Sequence, residues 1–468
     1  MIARTLAQAL LALLVAAVPA PAQDAPASDT LTIDASEQVD PQGLKHLRMV
    51  LRVLRGETIE FDPNGFTPTL RERTPVIELQ RALEQLAHNS GGYVNLGIID
   101  HGPGIITTVV RSHDSQARAR LSITYETGGA FRIDGILVHP DLPTFDSWAQ
   151  FTEALDAFGL DASVSLAEIL EDGSAETLFT YHEDRSLAVA YHARLFVLDA
   201  LVRRIDSGEA DWLDTVVIRE ELKTFPPGST ATEPAGGALP ISRLTQRMIV
   251  ETDHTATDHL IDHLGRDAVE DAVRDRVRRV ARNIPFLFTR EAFNLRLILT
   301  ETFIEQWAES DDDEQRDMLP TIDRIEVADV VYQTWRLPVA VPVVGWFASA
   351  KEMNDLFSSL YTSGTNPRHV TLGGVVNELP PAPVDPTVWV SSKVLTSIEP
   401  GIVATTWLLA HRDGRRYVLT GVFNSPSQPI PADQVGALLI AAAETLGRTP
   451  PRVEDEPVPG GESGAAPE

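Results

Sequence analysis

The densest cluster of possible metal-ligating side chains lies between residues 253 and 263. Three histidines and three aspartates are interleaved there: His254, His259 and His263 with Asp253, Asp258 and Asp262. A helix presents two imidazoles four residues apart, such as His259 and His263, on one side, which suits a zinc site. No HExxH pattern accompanies the cluster, and Asp and His alternating on a helix also describe a solvated surface. We favour the surface and predict neither a metal site nor a cofactor.

Charge and composition exclude several classes of function. The chain has 39 Lys and Arg against 67 Asp and Glu, a formal net charge of −28 at pH 7. Nucleic acids and anionic lipids require a basic surface, so we expect neither as a partner. The acidic run Asp311 to Glu314 lacks the glycine and the ligand spacing of a calcium loop, and we interpret it as solvated charge in a loop. The absence of cysteine excludes disulfides and thiolate catalysis.

The N-terminal sequence predicts export. Arg4 precedes an apolar run from Leu6 to Val18, and Ala20-Pro21-Ala22 supplies small residues for cleavage. Residues 1–22 are therefore predicted to be a secretory signal peptide. The apolar run is shorter than the roughly 20 residues that a membrane-spanning helix needs. We expect a periplasmic or secreted protein with no integral membrane segment after signal cleavage.

The first domain is predicted from two helical patterns and one hairpin. Apolar residues recur at helical spacing in two segments, one closed by Gly56 and one beginning after Pro75. Between residues 117 and 138, two segments flank a turn at Gly128-Gly129, and apolar and polar residues alternate in the first of them. Helices followed by antiparallel strands predict a small α+β domain over residues 31–140.

Three further segments follow the first domain. An amphipathic stretch containing Trp148 and Phe151 predicts a linker helix within residues 141–163. Residues 164–447 form the second predicted domain. Residues 448–468 are rich in proline and glycine and contain no aromatic residue, so we predict a disordered acidic tail.

Several stretches of the second domain resemble the penicillin-recognising serine hydrolases, the class A β-lactamases and D-alanyl-D-alanine peptidases. In chain order they are Leu187 to Leu201, Arg203 to Glu209, Ile218 to Lys223, Met248 to Asp262, Trp346 to Asp355 and Glu399 to Trp407. They are similar to that family's nucleophile-bearing helix, the turn and strand-like segment after it, its Ser-Asp-Asn loop, its late helix and its Lys-Thr-Gly strand pair. The front domain resembles the cystatin-like module found ahead of some members.

The resemblance implies both a fold and a mechanism. The fold class is α+β, with a cystatin-like α+β domain followed by a β-lactamase/transpeptidase-like domain, an antiparallel sheet flanked by helices plus a helical subdomain. In the family, the serine of Ser-x-x-Lys attacks a carbonyl and the lysine acts as its base, and a spacing of three places both on one helix face. The second motif relays a proton and positions the substrate amide, and the lysine of the third attracts a substrate carboxylate.

This sequence departs from the family at the reactive positions. Tyr191 stands where the serine is expected and Arg194 where the lysine is expected. A guanidinium keeps its proton, with a pKa above about 12, so Arg194 cannot serve as a base. The tyrosine ring would fill the hollow in which a substrate carbonyl rests. In the second motif Thr252 keeps a hydroxyl and Asp253 keeps the aspartate, whereas His254 replaces the asparagine.

The third motif departs further. When the chain is aligned on Glu399-Pro-Gly, the family's lysine falls on Leu395 and the small residues after it on Thr396 and Ser397. Lys393 lies two residues away and would need a β-bulge to take the place of that lysine. The sequence therefore predicts that the carboxylate-binding cation is lost.

Tyr191 and three nearby serines are the candidates for a substitute nucleophile. Tyr191 is a possible nucleophile if Arg194 lowers the pKa of its hydroxyl and His254 accepts its proton. We favour the alternative, in which the side chains of Tyr191 and Arg194 pack together and fill the position of the family's substrate cleft. Three serines near the motifs, Ser186, Ser391 and Ser392, are expected to be cap or strand hydroxyls, because they do not lie at the required helix position.

The sequence thus predicts an exported β-lactamase-like protein that has lost serine acyl transfer. Its predicted role is that of a binding or regulatory pseudoenzyme in the cell envelope, with a peptidoglycan fragment, a peptide or an envelope protein as partner. The remaining cleft, with Arg194, Thr252 and Asp253, is the expected binding place. The alternative is a divergent β-lactamase or peptidase-like hydrolase that acts on β-lactams or peptidoglycan peptides through Tyr191 or Thr252.

Overall fold

The computed structural model describes residues 39–114, 118–141, 143–323, 325, 334–385 and 388–448. The predicted signal peptide and the predicted tail after Arg448 lie outside these residues. The chain divides into two compact units, the first reaching Thr144 and including Asp433–Ala441, the second containing Phe145–Ala432 and the residues from Ala442. Within the described ranges, no helix combines the length and apolarity needed to cross a bilayer.

The first unit combines helices with a four-stranded antiparallel sheet in the order β1-β2-β3-β4. Its elements are α1 Pro41–Leu54, α2 Pro68–Arg73, α3 Val76–Asn89, β1 Tyr93–Gly102, β2 Ile105–Ser112, β3 Arg118–Tyr125 and β4 Ile133–Pro140. The Asp40 carboxylate begins α1 by accepting a hydrogen bond from the Gln42 amide at 2.9 Å. The two predicted helices and the predicted hairpin are confirmed, whereas the sequence patterns did not reveal α2, β1 and β2.

The second unit is built on a five-stranded antiparallel sheet in the order β11-β12-β13-β5-β6. Its strands are β5 Asp161–Ile169, β6 Ala175–Tyr181, β7 Leu187–Ala188, β8 Thr215–Val217, β9 Ala238–Pro240, β10 Phe347–Ala348, β11 Trp389–Glu399, β12 Ile402–His411 and β13 Arg416–Asn424. Its helices are α4 Trp148–Ala157, α5 Arg194–Ser207, α6 Ile241–Gln246, α7 His254–Leu264, α8 Arg266–Arg276, α9 Thr289–Leu297, α10 Glu301–Glu309, α11 Asp312–Asp323, α12 Ala350–Ser363 and α13 Val370–Glu378. The final helix, α14, spans Ala432–Arg448. This mixed arrangement confirms the predicted α+β class.

Helix α5 is the central helix of the second unit. It packs against α7, α8 and α12, and its buried residues run from Arg194 to Val202, with Ile205 in the last turn. A helix that is apolar on nearly all sides must be enclosed by other elements. Gly208 ends it with φ +81°, a left-handed conformation that glycine adopts without steric cost. The polar side chain at the start of α5, Arg194, is consequently carried into the protein interior.

Two predicted segments differ in detail from the structure. The helix predicted within residues 141–163 spans Trp148–Ala157 in the second unit, where Trp148 and Phe151 pack on Phe179. The acidic run from Asp311 is not a loop, because α11 begins at Asp312. The Asp311 carboxylate accepts hydrogen bonds from the backbone amides of Asp313 and Glu314. Acidic residues stabilise the N-terminal turn of a helix by interacting with its dipole, which explains this run.

Candidate functional site

A strained turn places Tyr191 at the entrance to α5. Strand β7 pairs with β10, and the Val189 amide donates to the Trp346 carbonyl at 2.9 Å. The chain then makes a 3-10 turn over Ala190–Ala193 before α5 begins. Ala190 has φ +48°, a left-handed conformation that costs a residue with a Cβ atom about 1 kcal/mol or more and is found most often at functional sites.

Three rings fill the space in front of this turn, and we call Tyr191, His254 and Phe293 the aromatic cluster. The rings of Tyr191 and His254 have centroids 4.2 Å apart, those of Tyr191 and Phe293 lie 5.9 Å apart, and those of His254 and Phe293 lie 5.4 Å apart in an edge-on arrangement. Tyr191 is only 9% exposed. Tilted and edge-on ring pairs of this kind contribute about 0.5–1.5 kcal/mol each beyond their buried area. The cluster is therefore a packed part of the fold.

Arg194 is a buried cation. Its side chain is 3% exposed, and its Nη1 donates to the Thr252 hydroxyl at 2.7 Å and to the Met248 carbonyl at 3.3 Å. Burial lowers the pKa of Arg194 to about 10, and the electrostatic interaction with Tyr191 opposes this shift. A group with that pKa stays protonated at neutral pH. Arg194 therefore cannot accept the proton of a nucleophile, as the sequence predicts.

The second motif surrounds the N-terminus of α7. Thr252 has φ +56° and follows a π-helical turn over Arg247–Glu251. The Asp253 carboxylate caps α7 by accepting from the Ala256 amide at 2.9 Å, and it also accepts from the Thr230 amide at 2.7 Å. Each carboxylate oxygen of Asp253 accepts one of these bonds, and the residue is buried. Its structural role explains the aspartate without any catalysis.

His254 is a neutral and weakly basic imidazole. Burial, together with the nearby Arg194 charge, lowers the pKa of His254 to about 3. An imidazole with this pKa holds a proton poorly at neutral pH. The proton-accepting role that the tyrosine-nucleophile hypothesis assigns to His254 is consequently unfavourable.

A buried polar chain runs beneath the aromatic cluster. His192 Nδ1 lies 2.9 Å from the Ser397 hydroxyl, His192 Nε2 lies 3.3 Å from the Thr406 hydroxyl, and Thr406 lies 3.0 Å from Thr420. His192 is 0% exposed and Ser397 is 2% exposed. Burial, followed by the Arg194 charge, lowers the pKa of His192 well below its usual value. This serine and histidine are paired but closed to solvent.

The third motif carries no cation into the site. Strands β11 and β12 pair without irregularity from Ser391 to Glu399, so the bulge that would bring Lys393 to the site is absent from this described pair. Lys393 Nζ donates instead to the carbonyls of Asn377 and Leu379. Leu395 is buried, and the Thr396 hydroxyl lies 2.8 Å from that of Thr405.

Behind the aromatic cluster, Arg296 and Glu399 form a buried ion pair. Arg296 also donates to the Val344 carbonyl. Burial lowers the pKa of Arg296 to about 10, and the interaction with Tyr191 opposes the shift. Arg194 and Arg296 therefore both remain charged, and the carboxylate of Glu399 is the counter-ion of Arg296.

The interleaved aspartates and histidines of α7 do not converge on a metal. His259 Nε2 accepts from the Arg219 amide at 2.9 Å, and its Nδ1 lies 2.7 Å from the Thr255 carbonyl. Asp258 accepts from the amides of Thr289 and Arg290 at the start of α9, at 2.7 and 3.1 Å. In the described part of the chain, no three His, Asp or Glu side chains are grouped as a metal site would require. The surface interpretation is wrong for Asp253, His254, Asp258 and His259, which are buried, and holds for Asp262 and His263, which are exposed.

Sequence reasoning missed two buried polar groups, His192 and the Arg296–Glu399 pair. A signal was present only for His192, which interrupts the apolar run around α5, since a polar side chain in such a run predicts a buried and hydrogen-bonded group. Arg296 does not stand out in the sequence, because α9 contains several other polar residues. Ser391 and Ser392 lie in β11, where the Ser392 hydroxyl donates to the Ala382 carbonyl at 3.0 Å. The Ser186 hydroxyl lies 3.5 Å from Nη1 of Arg282.

The buried histidines predict a loss of stability in acid. Because the folded pKa of His254 is about 3 and that of His192 is also depressed, both take up protons near pH 6.5 only after unfolding. Their stabilisation is present above pH 6.5 and falls by about 1.4 kcal/mol per pH unit for each histidine as the pH decreases. Burial raises the pKa of Asp258 to about 6, so Asp258 opposes this loss between pH 6 and 4.

Urea titrations from pH 7 to 5 measure this effect. The variant His254→Phe retains a ring against Tyr191 and Phe293 but has no titrating group. We expect the free energy of unfolding of this variant to fall less steeply with decreasing pH than that of the native protein. The two slopes should differ by about 1.4 kcal/mol per pH unit. Equal slopes for the two proteins would contradict the assignment of a neutral His254.

Comparison with known proteins finds a family match for part of the second unit. Residues 147–289 match the sequence model of the Beta-lactamase enzyme family. No curated protein matches the chain. Among solved structures, a β-lactamase from Sphaerobacter thermophilus is similar, with 18% identity, a TM-score of 0.44 and coverage of 65% of this chain and 98% of that one.

Two other solved structures give similar values. PBP-A in an acyl-enzyme complex with penicillin G shows 14% identity and a TM-score of 0.42, with 65% of this chain and 100% of that one covered. A class A β-lactamase from Bacteroides cellulosilyticus shows 15% identity and a TM-score of 0.42, with 64% and 97% covered. The family match confirms the resemblance inferred from the motifs over residues 147–289, which carry Tyr191, Arg194 and the second motif.

Proposed function

We propose that this protein is an exported pseudoenzyme that no longer performs serine acyl transfer and acts as a binding or regulatory protein in the cell envelope. The observation that carries the proposal is the replacement of the reacting pair by Tyr191, packed in the aromatic cluster, and by Arg194, a buried and protonated cation. Acyl transfer needs a nucleophile and a neighbouring group that removes its proton. Arg194 cannot supply that function.

We also propose a different position for ligand binding from the one expected from the sequence. The cleft residues expected to hold a ligand, Arg194 and Asp253, are 3% and 1% exposed. The cavity beside them has a volume of about 10 Å³ accessible to the centre of a water molecule, which is space for about one water. A peptide or a peptidoglycan fragment does not fit there. We therefore propose that the ligand binds on the outer surface of the protein rather than in the cavity beside Arg194.

A chromogenic cephalosporin and a fluorescent penicillin test the proposed loss of chemistry. We expect no turnover and no labelling of the native protein at any protein concentration. The variant Tyr191→Phe keeps the ring and removes the hydroxyl, so it serves as the matched control and should give the same result. Turnover by the native protein that Tyr191→Phe abolishes would identify Tyr191 as a nucleophile and refute the proposal.

A calorimetric titration tests the binding half of the proposal. Soluble muropeptides released from peptidoglycan are titrated into the native protein and into Tyr191→Phe. We expect equal binding by both, because recognition lies outside the filled site. Absence of heat with muropeptides would exclude the peptidoglycan fragment as partner and leave a peptide or an envelope protein.

One observation favours a hydrolase instead, namely the 2.9 Å contact between Ser397 and His192. A serine hydroxyl hydrogen-bonded to a neutral imidazole is the first requirement of a serine nucleophile. Burial of both residues and the depressed pKa of His192 oppose this second candidate. Labelling by a fluorophosphonate probe that is lost in Ser397→Ala would establish it.

A further inference from the structure

The cavity beside the aromatic cluster is lined by a buried arginine, Arg194. Its lining combines apolar residues, among them Val197 and Phe286, with the polar side chains of Tyr191, Arg194, Thr252, His254, Thr257 and Thr289. Within the described residues, no carboxylate forms an ion pair with Arg194 or shifts its pKa. The neighbouring buried cation, Arg296, has Glu399 as its counter-ion. A buried charge without a counter-ion is costly in a medium of low dielectric constant.

Arg194 also has unused hydrogen-bond donors. Its Nη1 is occupied by Thr252 and Met248, whereas its buried Nε has no hydrogen-bond partner. The Thr252 hydroxyl accepts from Nη1 and therefore still has its own proton to donate. Thr257 donates to the Asp253 carbonyl at 3.0 Å and is not available. The unused donors at this cavity therefore include the Nε of Arg194 and the hydroxyl of Thr252.

We infer that this cavity is a binding site for a small monatomic anion, chloride, held by Arg194 and Thr252. The anion would neutralise the guanidinium and accept the unused N–H and O–H donors, which a water molecule satisfies only in part because it carries no charge. The volume of about 10 Å³ accessible to a water centre admits one small ion and excludes sulfate, phosphate and carboxylates. This site is independent of whether the protein has lost its catalytic activity.

The test is the dependence of unfolding on chloride at constant ionic strength. Sodium chloride replaces sodium gluconate while urea unfolding of the full protein is measured. Above the dissociation constant, each tenfold rise in chloride should lower the unfolding equilibrium constant by about tenfold. Arg194→Met should remove this dependence.

The matched control is Arg247→Met. Arg247 is equally a buried arginine, but it is paired with Glu233 at 2.7 Å, so its variant should retain the full chloride dependence. If the native protein unfolds identically in chloride and in gluconate, or if Arg247→Met loses the dependence as Arg194→Met does, the inference is wrong.

Crystals of the native protein soaked in sodium bromide provide a second readout that needs no variant. We expect an anomalous peak within hydrogen-bond distance of Arg194 Nε. A water molecule in that place, with no anomalous signal, overturns the inference. An ultraviolet difference spectrum showing tyrosinate at neutral pH also overturns it, because a phenolate at Tyr191 would then supply the counter-charge.

Discussion

Replacing Tyr191 with serine is expected to lower the free energy of unfolding by about 3 kcal/mol. The change removes a buried ring that contacts His254 and Phe293, and truncation of a buried aromatic side chain leaves a cavity that the surroundings fill incompletely. The same change opens the space in which a family nucleophile would act. Urea unfolding of the variant measures the loss.

Tyr191→Phe is the control for this prediction. It retains the ring and should change the free energy of unfolding by no more than about 1 kcal/mol. The double variant Tyr191→Ser with Arg194→Lys restores the family's residue types and should still fold, with a stability near that of Tyr191→Ser. A Tyr191→Ser protein as stable as the native one would show that the ring does not fill this part of the fold, and gross unfolding of the double variant would show that α5 is misplaced.

The second large effect is expected at the Arg296–Glu399 pair. Glu399→Gln leaves the buried Arg296 charge without its counter-ion, and the loss of one partner of a buried pair costs about 3–5 kcal/mol. Because Arg296 also holds the Val344 carbonyl, the segment before β10 should lose protection from hydrogen exchange. Chemical unfolding measures the first effect and hydrogen-exchange mass spectrometry the second.

An exposed ion pair provides the comparison. Lys351 and Asp355 lie 2.8 Å apart on α12 with both side chains partly in solvent, and Asp355→Asn should cost no more than about 0.5 kcal/mol. The double variant Glu399→Leu with Arg296→Met should be more stable than Glu399→Gln, since it buries no unpaired charge. Equal costs for Glu399→Gln and Asp355→Asn would contradict the buried pair.

The helices that carry the site could be predicted because their signals are local. The apolar run of α5 and the aspartate cap of α7 are readable from a few neighbouring residues. Strands β1 and β2 were missed for physical reasons. The register of β1 shifts at Gly97 and again near Asp100, which breaks the alternation. Strand β2 is buried over five consecutive residues that include the adjacent Thr107 and Thr108, so polar and apolar side chains do not alternate along it.

The contacts inside the site could not be predicted, because they join residues that are distant in sequence. His192 meets Ser397 only because the turn before α5 lies against β11. Arg296 on α9 and Glu399 at the end of β11 meet by the same packing. Residue types at Tyr191 and Arg194 were sufficient to predict the loss of the family's chemistry, whereas the packing of the Tyr191 ring required coordinates.

Intact-protein mass spectrometry after prolonged incubation with penicillin G tests the loss of acyl transfer most directly. The native protein is predicted to keep its unmodified mass, because a buried Tyr191 and a protonated Arg194 provide neither an activated nucleophile nor a base. A mass increase equal to one penicillin molecule, mapped by peptide analysis to Tyr191, Thr252 or Ser397, would show that the site is still a working acyl-transfer centre.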